Sequence, residues 1–97
     1  SFNERCYQIL LKVPKGKITT YKEIAHILHS KAYRAVGNAM NKNPYAPQVP
    51  CHRVINSDGT IGGFANGQSK KAKMLRQEGI EIVNEKINLK KFFYKLR

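Results

Sequence analysis

Ninety-seven residues are enough for one compact core and too few for two, so residues 1–97 are read as a single small domain carrying whatever activity the chain has. The chain is 41% hydrophobic and 9% aromatic, with no apolar run near the roughly 18 residues of a membrane span. No basic segment followed by an apolar stretch opens it either, so a soluble, intracellular protein is expected, cytoplasmic in a prokaryote or nuclear in a eukaryote. Eighteen Lys and Arg against six Asp and Glu give a formal charge of +12, which attracts a polyanion; nucleic acid leads as partner, while charge alone leaves open a merely basic protein.

Apolar Phe2, Ile9, Leu10 and Val13 share a stripe with Cys6, which predicts a first helix over residues 2–13, stopped by Pro14 and the turn at Gly16. Cys6 then belongs to the core. Thr20-Tyr21-Lys22-Glu23 is a capping box and predicts a second helix over about 21–29. Ser30 is placed to cap a third helix over 31–41, on which Ala32, Ala35, Val36, Ala39 and Met40 keep helical spacing. Gly37 inside it costs about 1 kcal/mol relative to alanine, which suggests that another backbone lies close to that face. Helices two and three outline a helix-turn-helix over about 21–41, the second of the pair basic through Lys31, Arg34 and Lys42. A three-helix bundle with a solvated basic face fits the same periodicity.

Beyond Asn43 come prolines 44, 47 and 50, a short apolar stretch at Val54-Ile55, a turn at residues 56–59, and glycines 62, 63 and 67. This reads as loop and short strand, where a winged helix would place its hairpin. Ser69 is expected to cap a fourth helix to about Gln77, closed by Gly79, with a short strand near 80–83. Residues 88–97 set Leu89, Phe92, Phe93 and Leu96 on one face of a predicted basic amphipathic helix, suited to docking on the core or, in the sharper reading, to a membrane surface. The expected class is mainly α with short β elements.

Pro50-Cys51-His52-Arg53-Val54 places a nucleophile, a base and a permanent cation in succession behind a stiff backbone. An ordinary cysteine is only a few per cent thiolate at neutral pH, so attack needs a nearby base or positive charge. His52 is the candidate base, although direct contact between neighbours requires a turn or a bridging water. Two cysteines, even pooled with three histidines, fit neither a disulfide framework nor a structural zinc site, and no metal or organic cofactor is expected.

This run, together with Arg34-Ala35-Val36-Gly37-Asn38-Ala39-Met40, the Asn43-Pro44 pair and Glu78-Gly79, resembles the C-terminal, active-site domain of the O6-alkylguanine-DNA alkyltransferases over roughly residues 2–79. The resemblance implies that Cys51 accepts an alkyl group from O6 of guanine, irreversibly and once per molecule. It implies that His52 acts through a water, that Glu78 orients His52, and that Tyr21 protonates the departing guanine. Arg34 corresponds to the residue that fills the gap left by an extruded nucleotide, because the alkyl carbon cannot meet a thiolate in line inside the stack. Lys31 and Ala35 fall on the DNA-facing helix, Asn43 supports the active-site turn over residues 50–54, and Met40, the Val54 carbonyl, Phe64 and Ala65 fall in the guanine pocket. The implied partner is double-stranded DNA carrying O6-alkylguanine, bound through the minor groove by a monomer.

Ala65 stands where many members have serine and Phe64 where tyrosine is frequent, and residues 80–97 carry no resemblance. A non-enzymatic alkyltransferase-like protein, which binds the lesion and recruits other factors, is the alternative; such proteins lack the acceptor cysteine that Cys51 supplies. A helix-turn-helix regulator would leave the Cys51-His52-Arg53 run without a purpose.

Overall fold

The computed structural model describes residues 1–63 and 67–96. Helix α1 spans Phe2–Leu10 and is capped by Ser1, whose Oγ accepts from the Glu4 amide at 3.2 Å. It ends earlier than the expected residue 13, because residues 11–13 tighten into turns, with Lys12 N bonded to Ile9 O and Val13 N to Leu10 O. Pro14 disfavours helical backbone at the residue before it, which accounts for the early unwinding.

Strand β1, Thr19–Thr20, runs straight into helix α2, Tyr21–Ile27. Thr20 keeps extended backbone, with φ −121°, and its side chain accepts from the Glu23 amide at 3.0 Å. One half of the expected capping box is thereby made, while Glu23 Oε2 accepts from the distant Leu96 amide at 3.2 Å. Helix α3, Tyr33–Asn41, starts two residues later than Ser30 as its cap would give. The Ser30 hydroxyl instead accepts from the Ala32 amide at 3.0 Å, a local turn that competes with capping and leaves Ala32 at the helix start without a side-chain cap. The Tyr7 hydroxyl donates to the Ala39 carbonyl at 2.8 Å and so ties α1 to α3.

A single turn of 3-10 helix, Cys51–Arg53, precedes strand β2, Val54–Ile55. The short strand read at Val54-Ile55 forms, and it pairs in parallel with β1, Thr19 opposite Val54 and Thr20 opposite Ile55, rather than in a hairpin. Helix α4 covers Gln68–Gln77, with Gly67 rather than Ser69 at its N-cap. No strand forms over 80–83; Val83 makes an isolated antiparallel bridge to Lys86 around a turn in which Asn84 and Glu85 have positive φ.

The tail also departs from expectation. Helix α5 is only Leu89–Phe92, and the chain then extends, with Phe93 at ψ 128°. Ile18 N donates to Phe92 O at 2.9 Å and Tyr94 N to Ile18 O at 2.8 Å, so the tail lies along the segment leading into β1. Sheet-like pairing there satisfies backbone groups that a longer helix would have kept for itself. Gly59, at φ +94°, lets the Ile87 backbone approach: an added Cβ would stand 2.9 Å from the Ile87 carbonyl oxygen.

Two apolar clusters result. One gathers Cys6, Leu10, Ile24, Val36, Met40, Cys51 and Val54 beneath α1, α2 and α3. The other gathers Ile18, Ile55, Ile61, Leu75, Ile80 and Phe92 beneath α4 and the tail. Strands β1 and β2 form the seam, and the turn carrying Cys51 sits at its end.

Candidate functional site

Cys51 opens the 3-10 turn and is 6% exposed, a buried thiol at the edge of the first cluster. The loop before it is held by Asn43, whose Nδ2 donates to the Val49 carbonyl at 2.8 Å while its Oδ1 accepts from the Tyr45 amide at 2.9 Å. His52 follows on the same turn and is buried; its Nε2 lies 2.9 Å from Glu78 Oε2. Arg53 closes a fork on that carboxylate, Nε to Oε1 at 2.9 Å and Nη2 to Oε2 at 2.7 Å, and its Nη1 donates to the Val13 carbonyl at 2.9 Å. Glu78 is the C-cap of α4, so this cluster binds the turn that follows α1, the Cys51 turn and the end of α4 into one unit.

Burial pushes the His52 pKa down, with Glu78 opposing, so the imidazole is favoured in its neutral form. Burial raises the Glu78 pKa, but its hydrogen bonds from Arg53 and His52 outweigh that and hold the carboxyl below its ordinary value. An ionised Glu78 can only accept, which places the His52 proton on Nε2 and leaves Nδ1 as the basic nitrogen.

Tyr21, at the first position of α2, is half-buried, and burial raises its phenol above the ordinary value, with Cys51 adding in the same direction. Lys71 reaches it from α4. The Lys71 side chain is 0% exposed; its Nζ donates to the Val54 carbonyl at 2.6 Å and the Gly63 carbonyl at 3.1 Å, and lies 3.5 Å from the Tyr21 hydroxyl. Burial lowers the ammonium pKa from 10.5 to about 8, with Cys51 pulling the other way. Sequence reasoning missed Lys71. The available signal is that Lys71, Ala72 and Leu75 share the buried face of α4, so that a lysine falls where an apolar residue belongs.

Of the other sequence-derived candidates, Met40 is buried in α3 and Val54 in β2, whereas Lys31 and Arg34 are exposed and Ala35 is half-buried. Phe64 and Ala65 lie outside the described residues. A cavity of about 660 Å³ opens between α2, α3 and the turn at 56–58 and is lined by Tyr21, Tyr33, Arg34 and Gly37. At Gly37 the expected close backbone is not found: apart from its chain neighbours and its own helix's backbone, no described atom comes within 4 Å of where a Cβ would stand, and Gly37 lines this cavity. Tyr21 thus lies on one side against Lys71, near the thiol, and on the other against the exposed end of α3.

Among the described residues no cluster of His, Cys, Asp and Glu could hold a metal ion, and no helix is long and apolar enough to cross a membrane. The site's chemistry is a thiol beside a neutral imidazole, a buried ammonium and a phenol.

A methylated-DNA–protein-cysteine methyltransferase of Candida glabrata is 42% identical over 92 residues, 94% of this chain and 44% of the relative. The chain spans about half or less of the length of the curated relatives it matches. Among solved structures, S. pombe Atl1 in complex with damaged DNA containing O6-carboxymethylguanine is 35% identical with a TM-score of 0.86, the match covering 97% of this chain and 94% of that one. Mycobacterium tuberculosis OGT in complex with DNA is 40% identical with a TM-score of 0.77, over 80% of this chain and 49% of that one. The model of the 6-O-methylguanine DNA methyltransferase DNA binding domain matches residues 1–80, which hold every group of the cluster just described. The chain belongs to that family.

Proposed function

We propose that this chain is the alkyl-accepting domain of a DNA-repair protein, and that it moves an alkyl group from O6 of guanine in duplex DNA to the Cys51 sulfur. The observation that carries the reading is a buried thiol and a buried imidazole on one short turn, the imidazole held at 2.9 Å by a carboxylate. His52 Nδ1 takes the thiol proton through a water, and Glu78 holds the ring in the required tautomer. The Lys71 ammonium favours the thiolate electrostatically. The thiolate attacks the alkyl carbon, the carbon–oxygen bond breaks toward the base, and Tyr21 donates its phenolic proton to the guanine as negative charge develops there. The thioether has no leaving path, so each molecule reacts once.

Extrusion of the guanine nucleotide brings it to Cys51, while Arg34 enters the space it leaves. The exposed Arg34 on α3 and Lys31 just before it suit a minor-groove approach by a monomer, and free Cys6 and Cys51 suit a reducing, intracellular compartment. A second reading, a lesion binder that does not react, is favoured by the likeness to Atl1 over nearly the full length of both chains. Cys51 and its surroundings favour transfer.

Intact mass after mixing with a short duplex containing one O6-methylguanine separates the two. Transfer gives a gain of about 14 Da that maps to Cys51, saturates at one per protein and is absent in Cys51→Ala. Tight binding with no mass gain supports the non-reacting binder instead.

A further inference from the structure

Tyr33 has no part in the chemistry above, yet it is one of the large side chains left in solvent, 48% exposed at the first position of α3. Its helix is sharply two-sided: Val36, Ala39 and Met40 are buried, while Tyr33, Arg34 and Gly37 line the cavity of about 660 Å³ beside Tyr21. Tyr33 and Gly37 are one helical turn apart and therefore share a face, and the glycine leaves open space on that face. The outer face of α3 thus offers an aromatic plate, a guanidinium and a gap.

That combination suits a stacked nucleic acid more than a folded protein surface. An aromatic ring stacks on any base, and apolar wedges inserted from the minor groove unstack neighbouring base pairs. A strongly basic chain supplies the phosphate attraction that brings such a wedge to the duplex. We propose that Tyr33 is a second insertion residue, its ring stacking on the base that borders the position Arg34 enters. Arg34 fills the vacated space and Tyr33 holds the flanking base, so the cost of extrusion is shared by two adjacent side chains. This rests on the extrusion reading above, and it makes Tyr33 a positioning residue for the lesion.

The test uses Cys51→Ala as parent, so that binding is read without transfer, and a short duplex with 2-aminopurine next to a single O6-methylguanine. Tyr33→Ala is expected to weaken binding about tenfold and to abolish the change in 2-aminopurine emission, whereas Tyr33→Phe keeps both. Tyr94→Ala, which removes an exposed tyrosine on the tail, is expected to change neither. Binding and emission unchanged in Tyr33→Ala overturn the proposal. Failure of the wild-type chain to gain a methyl group overturns transfer without touching this result, and failure of the Cys51→Ala parent to bind the lesion duplex overturns the stacking proposal while leaving transfer to the mass measurement.

Discussion

Lys71→Met removes an ammonium that the fold buries completely, and its effect on stability can be worked from the structure. The fall from 10.5 to about 8 means that burial disfavours the charged form by about 3 kcal/mol, even with two carbonyl oxygens accepting from it. Because the folded pKa is the lower one, the native state releases this proton first as pH rises. Between about pH 8 and 10.5 the unfolded chain holds more protons, so stability should climb by about 1.4 kcal/mol per pH unit. Below pH 8 both states are protonated and the whole cost is present. Lys71→Met should lack this climb. Urea unfolding of both proteins from pH 7 to 10 reads it as a gap in their stabilities that changes by up to about 3 kcal/mol. The difference between the two is the proper quantity, since Tyr21, whose pKa is raised, opposes the trend at the alkaline end in each. Parallel pH profiles would refute the assignment of Lys71 as a buried ammonium.

Glu78→Gln leaves Arg53 largely buried without its carboxylate and His52 without its anchor; a loss of about 2–4 kcal/mol is expected on urea unfolding at pH 7. The Glu78 carboxyl lies below its ordinary pKa, so its stabilisation is present above about pH 4.5 and is lost as pH falls through the folded value. Glu78→Gln should therefore show the shallower acid loss, and single-turnover methyl transfer at neutral pH should slow at least about tenfold. Unchanged stability and rate would sink the role of the cluster. Gly37→Ala should stabilise the free chain by about 0.5–1 kcal/mol, because alanine is the better helix former and no described atom crowds the site. The same change should weaken duplex binding, as read by fluorescence anisotropy; binding as tight as the parent would show that the DNA does not approach there.

Local chemistry was readable where it is self-contained. The Thr20 cap depends only on residues within one turn, Pro14 stops α1 wherever the rest of the chain lies, and the order Pro50-Cys51-His52-Arg53 marks a candidate nucleophile next to a candidate base before any contact is known. The late start of α3 shows the limit of such reading, because a serine hydroxyl can cap a helix or close its own turn, and sequence does not choose between them. The tail shows it again: Leu89, Phe92, Phe93 and Leu96 fit a helical stripe, yet pairing of the backbone with Ile18 takes the chain into an extended path.

What the sequence determined by itself is therefore the presence of the helices, the turn that carries the candidate nucleophile and the family resemblance, each carried by short runs of neighbouring residues. Tertiary structure alone decided the parallel pairing of β1 with β2, the joining of Arg53 to both Val13 and Glu78, and the burial of Lys71 beside an exposed Lys70. Each of these depends on how the faces of separate elements meet, and a buried charge is tolerated only where distant carbonyls have already been brought to receive it.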